Sequence, residues 1–240
     1  LINIPKKEDI FSKLNDVPIK YFNNSLKNFG IKIKINNTTL GYGNWDQWWG
    51  KGIHNSLILT NNTTSFKYLF FNNNSTFGNN INININYFLS QPMYNENNDK
   101  FYLSALSLIL KYKNLEFGKA KHVISGGYMD ISWSSKNAML APIVNVNNRL
   151  WDIINDYYLA FNFLESKLIV FCEIGIPNRT YNNNSSSLIF PDHAIATNIG
   201  LRKYGLFNIN ELLFGFEYTS TLISQYYYKL PAKNWYSNSK

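Results

Sequence analysis

His54, Asn55 and Ser56 stand side by side and together hold the residue types of a serine hydrolase site. In such a site the histidine takes the serine proton and a third side chain orients the ring. On a strand His54 and Ser56 share one face, but neighbours at i and i+2 rarely reach a productive hydrogen bond. The pairing of Asp46 with His54 has the same standing. Glu116, Asp130, Glu173, Glu211 and Glu217 offer carboxyls for glycoside hydrolysis, yet nothing in their spacing selects an acid and its partner. His54, His122 and His193 are isolated and there is one cysteine, Cys172, so no metal-ligating set is expected. No glycine-rich phosphate loop of the nucleotide-binding kinds occurs. The sequence therefore predicts no enzyme and no cofactor.

The stretch from Gly41 to Ser56 offers chemistry of another kind. Trp45, Trp48 and Trp49 lie among Gly41, Gly43, Gly50 and Gly52, with Asp46, Gln47, Lys51, His54 and Asn55 between and after them. Tryptophan is large and seldom fully buried, so three of them in a glycine-bent loop point to a flat recognition surface. Indole faces would stack on sugar rings, Asp46, Gln47 and Asn55 would hydrogen-bond hydroxyls, and Lys51 would pair with a uronate. The competing expectation is an aromatic cluster that closes a β corner or plugs a barrel. Asp130 and Trp133 form a weaker candidate of the same type, and Tyr226, Tyr227 and Tyr228 are expected to face lipid headgroups.

The elements that would position these residues are strands. The chain has 240 residues, with 45% hydrophobic, 17% aromatic and only 16% charged residues, a balance that favours β structure. Alternation with period two is clear in Ile31-Ile33-Ile35, in Ile81 to Tyr87 and in Tyr157 to Phe163. Phe101 to Tyr112 reads as a longer strand, with Leu115 to Phe117 and His122 to Ser125 as short ones. Glu165-Ser166-Lys167 turns the chain into Leu168 to Gly175, and Ala194 to Lys203 pairs with Leu212 to Tyr218. Leu222 to Lys229 reads as a last strand. Polar loops are expected at Asn72 to Ser75, Tyr94 to Asp99 and Asn178 to Ser187, and a helical or irregular segment at Asn145 to Ile154. Residues 1–28 form a separate N-terminal segment, with a short helix over Lys7 to Leu14, and 29–240 form the strands.

Strand lengths near those that cross a bilayer, an Asn-rich polar face and aromatic strand ends predict a transmembrane barrel. A secreted β-sandwich shares the alternation and stays open as an alternative. The net charge of +8 suits an anionic partner, but Asn, Lys, Ile and Tyr all have AT-rich codons, which explains the same excess. The basic residues are dispersed and form no nucleic-acid-binding module. No apolar run is long enough for a transmembrane helix, and no signal peptide is visible. The chain opens on Leu1, and is expected to be a mature form or a fragment.

The run from Trp48 to Asn62, Trp-Trp-Gly-Lys-Gly-Ile-His-Asn-Ser-Leu-Ile-Leu-Thr-Asn-Asn, resembles the hallmark of the Wzi family of capsule-assembly outer-membrane proteins. Those carry a Trp-Gly-Pro-Gly-like turn, His-Asn-Ser-Leu, an apolar strand and Ser/Thr-Asn-Asn; Lys51 stands where the family often has proline. Leu115-Glu116-Phe117-Gly118 with Gly126-Gly127, the Tyr157–Gly175 hairpin and Glu217-Tyr218-Thr219 resemble its later blocks in order. The resemblance implies an all-β, antiparallel transmembrane barrel of about 18 strands with a short N-terminal helical part. It also implies location in the bacterial outer membrane, contact with its lipid, and non-catalytic, lectin-like binding of capsular or other surface polysaccharide. Since this chain is short for such a barrel and ends on Ser237-Asn238-Ser239-Lys240, strands are expected to be missing at the C-terminus. A passive, porin-like channel is the alternative reading of the same pattern.

Overall fold

The computed structural model describes residues 29–53, 56–57, 66–78, 80–94, 100–126, 135–144, 152–177, 195–209 and 211–220. The expected helix over Lys7 to Leu14 and last strand over Leu222 to Lys229 lie outside them, as do His54, Asn55, Asp130, Trp133, Trp151, His193 and Tyr226 to Tyr228.

Among the described residues eleven strands form one antiparallel sheet: β1 (Gly30–Ile35), β2 (Thr38–Gly43), β3 (Tyr68–Phe77), β4 (Ile81–Ser90), β5 (Met93–Tyr94), β6 (Lys100–Tyr112), β7 (Leu115–Gly126), β8 (Asp152–Phe163), β9 (Leu168–Pro177), β10 (Ala196–Tyr204) and β11 (Leu213–Ser220). Each long strand pairs with the next in sequence, so the sheet is a meander; the two-residue β5 pairs beside β4 on β6. Among the described residues β1 and β11 each pair on one side only. At one end the connections are tight: 36–37, 78–80, 113–114, 164–167 and 205–212. At the other they run over 44–67, 91–99, 127–151 and 178–195.

Three expectations are corrected. Asn72 to Ser75 is not a loop but the interior of β3, because Asn72 donates its amide to Asn84 Oδ1 (3.0 Å) and to Asn86 across the β3–β4 pair. Cross-strand amide bonds of this kind override the turn preference of asparagine. Leu115 to Ser125 is one strand rather than two short ones, its middle paired residue by residue with β6 and β8. Of Asn145 to Ile154, expected to be helical or irregular, residues 145–151 lie outside the described ones and Asp152 to Ile154 open β8; the described helix, α1 (Ser135–Leu140), lies before them.

The strict registers sort the side chains onto two faces. One face carries Lys32, Asn72, Asn84, Asn86, Ser107, Glu116, Asp156, Glu173 and Asn198, together with the rings of Phe70, Phe88 and Phe171. The other carries Ile31, Ile33, Ile35, Leu69, Leu108, Leu110, Phe117, Leu159, Phe161, Ile199, Phe216 and Tyr218, all exposed. Ile31 is 71% exposed and Phe216 54%, while Glu173 is 0% and Asp156 2% exposed. This inverts the usual order of a water-soluble fold, in which the exposed face is polar and the covered one apolar.

The apolar face is broken by Lys119, whose ammonium lies 5.5 Å from the Tyr157 ring centre, and by Lys121. Lys121 donates to the carbonyls of Ala141 (3.2 Å) and Val144 (3.0 Å) at the end of α1, and Tyr87 donates to Met139 O (2.9 Å). The helix thus lies against the apolar face at the end with the long connections, with Ala138 and Ala141 buried.

Candidate functional site

What covers the polar face is the tryptophan-bearing segment itself. After β2, Asn44 fixes the exit: its N–H donates to Phe29 O (2.9 Å), and its side-chain oxygen accepts from Phe29 N (2.7 Å). Trp45 packs edge-on to Phe70 (5.3 Å between centres) and Tyr68 (6.3 Å), and Lys32 caps it at 4.2 Å. Gln47 donates to the Tyr68 hydroxyl, which in turn donates to Trp45 O (2.9 Å). Trp49 donates its indole N–H to Gln47 Oε1 (3.1 Å) and packs edge-on to Phe88 and His122 at 5.4 and 5.1 Å. Trp48 donates to Gly52 O (2.9 Å) and Ser56 to Trp49 O, which folds the segment back on itself.

Beyond Trp49 the partners are carboxylates. Lys51 pairs with Glu116 on β7 at 2.6 Å. Glu116 also accepts from the Tyr158 hydroxyl (2.7 Å) and pairs with Lys111 (3.3 Å). Glu173 on β9 accepts from Leu57 N (3.3 Å) at Oε1, while its buried Oε2 has no hydrogen-bond partner; Asn198 on β10 is its register partner. Glu217 on β11 accepts from Ile53 N. Asp156 on β8 is buried one register row from Glu173, its Oδ1 without a hydrogen-bond partner.

These contacts bridge distant strands. Trp45 O is held by Tyr68 of β3 and Ile53 N by Glu217 of β11, seven strand spacings away along the sheet. The described part of the segment therefore lies across the polar face from β3 to β11.

Of the residues singled out in the sequence, the structure brings Trp45, Gln47, Trp49 and Lys51 into contacts with the sheet; Trp48 is half-buried and Asp46 exposed. His54 and Asn55 lie outside the described residues. Ser56 reaches back to Trp49 O instead of standing apart as a nucleophile. Glu211 is exposed at a turn. Sequence reasoning offered Glu116, Glu173 and Glu217 as carboxyls with no pair selected and missed what they hold, and it missed Tyr158, Asp156 and Asn198. Parity gave no clear signal for the two on β8, which carries Asn155 on one face and Asn162 on the other.

His122 is buried as an aromatic wedge between Trp49 and Phe88 (5.9 Å), and neither ring nitrogen has a hydrogen-bond partner. Among the described residues no three of His, Cys, Asp and Glu gather as metal ligands. A buried polar group without a partner costs stability that an isosteric apolar group does not. His122→Phe is expected to raise stability by about 0.5–1.5 kcal/mol, read as a higher urea midpoint in detergent micelles; a lower midpoint would assign the imidazole an interaction of its own.

No protein-family model, no curated protein and no solved structure matches this chain.

Proposed function

We propose that this chain is part of a bacterial outer-membrane β-barrel that binds surface, capsular polysaccharide without catalysis. The observation that carries this reading is the inversion of the two faces: apolar side chains bare on the outside, amides and carboxyls covered on the inside. A lipid-spanning barrel needs that order, and a soluble sandwich needs the opposite. Tight connections at one end and long ones at the other are the second mark of such barrels. The Wzi resemblance of residues 48–62 agrees in fold and supplies the ligand class. The segment across the inside narrows any wide lumen, which favours a binding role over a passive porin.

Within the segment, Trp48 is half-buried and Asp46 exposed, which leaves both side chains within reach of a sugar. Trp48→Ala is expected to weaken retention of polysaccharide on cells about tenfold, the scale of one aromatic stacking contact. Quantifying cell-bound against shed capsule tests it, with the amount of folded barrel in each strain as reference. Full retention by a Trp48→Ala, Asp46→Ala double variant would remove the segment from the binding site. Release of the wild-type chain from outer membranes without detergent would remove the barrel.

A further inference from the structure

We propose that Glu116, Glu173 and Glu217 are positioning residues, one on each of three alternate strands, whose carboxylates clamp residues 50–53 and 56–57 across the inside and make them the constriction of a water-filled barrel. The proposal rests on the barrel reading above.

The geometry is specific. Glu116 and Glu217 face each other along one register row, through Ala160, Phe171 and Gly200, and Glu173 lies in the adjacent row through Tyr158 and Asn198. Each carboxylate takes a different group of the segment: the Lys51 ammonium, the Leu57 N–H and the Ile53 N–H. The strands between contribute as well: Tyr158 on β8 donates to Glu116, and Asn198 on β10 lies beside Glu173 in register. Glu116 and Glu173 are 3% and 0% exposed. Carboxyl side chains so deeply covered need partners. The segment supplies the Lys51 ammonium to Glu116 and the Leu57 N–H to Oε1 of Glu173, so the position of the segment and the burial of these carboxyls are set together. Loops on this end connect strands; this one is turned inward by acceptors on the wall.

The chemistry of the three contacts gives distinguishable variants. Gln keeps a carbonyl that accepts a backbone N–H, so Glu173→Gln and Glu217→Gln should hold the segment nearly as the wild type does. Ala removes the acceptor. Glu116→Gln together with Lys51→Met removes the ion pair and leaves no buried charge behind. The full chain is reconstituted in planar bilayers, and potassium chloride conductance is measured. Folding of each variant is checked by heat-modifiable migration. Expected are a small conductance for wild type, Glu173→Gln and Glu217→Gln, and a severalfold larger one for Glu173→Ala with Glu217→Ala. A Cys introduced at Ser56 should at the same time react faster with a membrane-impermeant maleimide in the Ala pair. If the Ala pair does not fold, the Glu116→Gln, Lys51→Met variant carries the test, with the same larger conductance expected. A folded variant of either kind that conducts like wild type overturns the clamp alone. Wild-type protein that does not float with lipid vesicles in a density gradient overturns the barrel reading and the clamp with it.

Discussion

Leu159→Arg will destabilise the folded chain in a lipid bilayer by about 2–4 kcal/mol. Leu159 sits in the middle of β8, on the apolar face between Phe117 and Cys172, and is 42% exposed. In water, a cation at a position so exposed changes stability by no more than about 0.5 kcal/mol, because the guanidinium keeps its hydration. Against hydrocarbon the same side chain must be stripped of water or reach for an interface. The size of the effect therefore reports what lies against this face. Asn162→Arg, on the same strand but with opposite parity, is expected to cost no more than about 0.5 kcal/mol, since its side chain faces the polar inside. Urea titrations of folding into vesicles, followed by tryptophan fluorescence, measure both. A Leu159→Arg cost indistinguishable from that of Asn162→Arg would place water, not lipid, on the apolar face.

Much of this sheet is legible in the residues because period two is a local property. Ile81-Asn82-Ile83-Asn84-Ile85-Asn86 announces both the strand and its two faces, and β4 spans it with every Asn on the polar side. The Leu168 hairpin and the β10–β11 pair are readable for the same reason. Asn72 to Ser75 misleads because its residues favour turns in isolation, while amides on the facing strand decide their fate here. The split of β7 misleads for a related reason: Gly118 to Lys121 carries no large apolar group, yet Gly118 is small because the Tyr158 ring occupies the space above it. The course of residues 44–53 and 56–57 is not legible, because it is fixed by Tyr68, Phe88, Glu116, Glu173 and Glu217, all on other strands. Composition marks that segment as unusual. Only the register, which places three carboxylates in two adjacent rows, shows where it goes.

Gly50→Val should displace the tryptophan segment while leaving the sheet intact. Gly50 has φ of +131°, a conformation that residues with a Cβ rarely adopt and that costs on the order of 1–3 kcal/mol where they are forced into it. A Cβ there would also stand 2.7 Å from Glu173 Oε1 and 3.0 Å from Ser56 Oγ, too close for either to stay in place. Glu173 can yield only by giving up the Leu57 N–H, and Ser56 only by giving up Trp49 O. Both movements loosen the segment on either side of Lys51, so strain at one residue spreads to several contacts. The sheet's own ladders involve neither group. The expected result is an unchanged far-ultraviolet β signal together with stronger acrylamide quenching of the tryptophans. Gly50→Ala should act in the same direction and less strongly, having the strain with a smaller side chain. Unchanged quenching in the valine variant would mean that Glu173 does not govern where the segment lies. If quenching rises and polysaccharide retention falls together, sugar binding depends on the segment being held in place. If quenching rises and retention stays, the ligand is held elsewhere and the tryptophans serve the barrel's own packing.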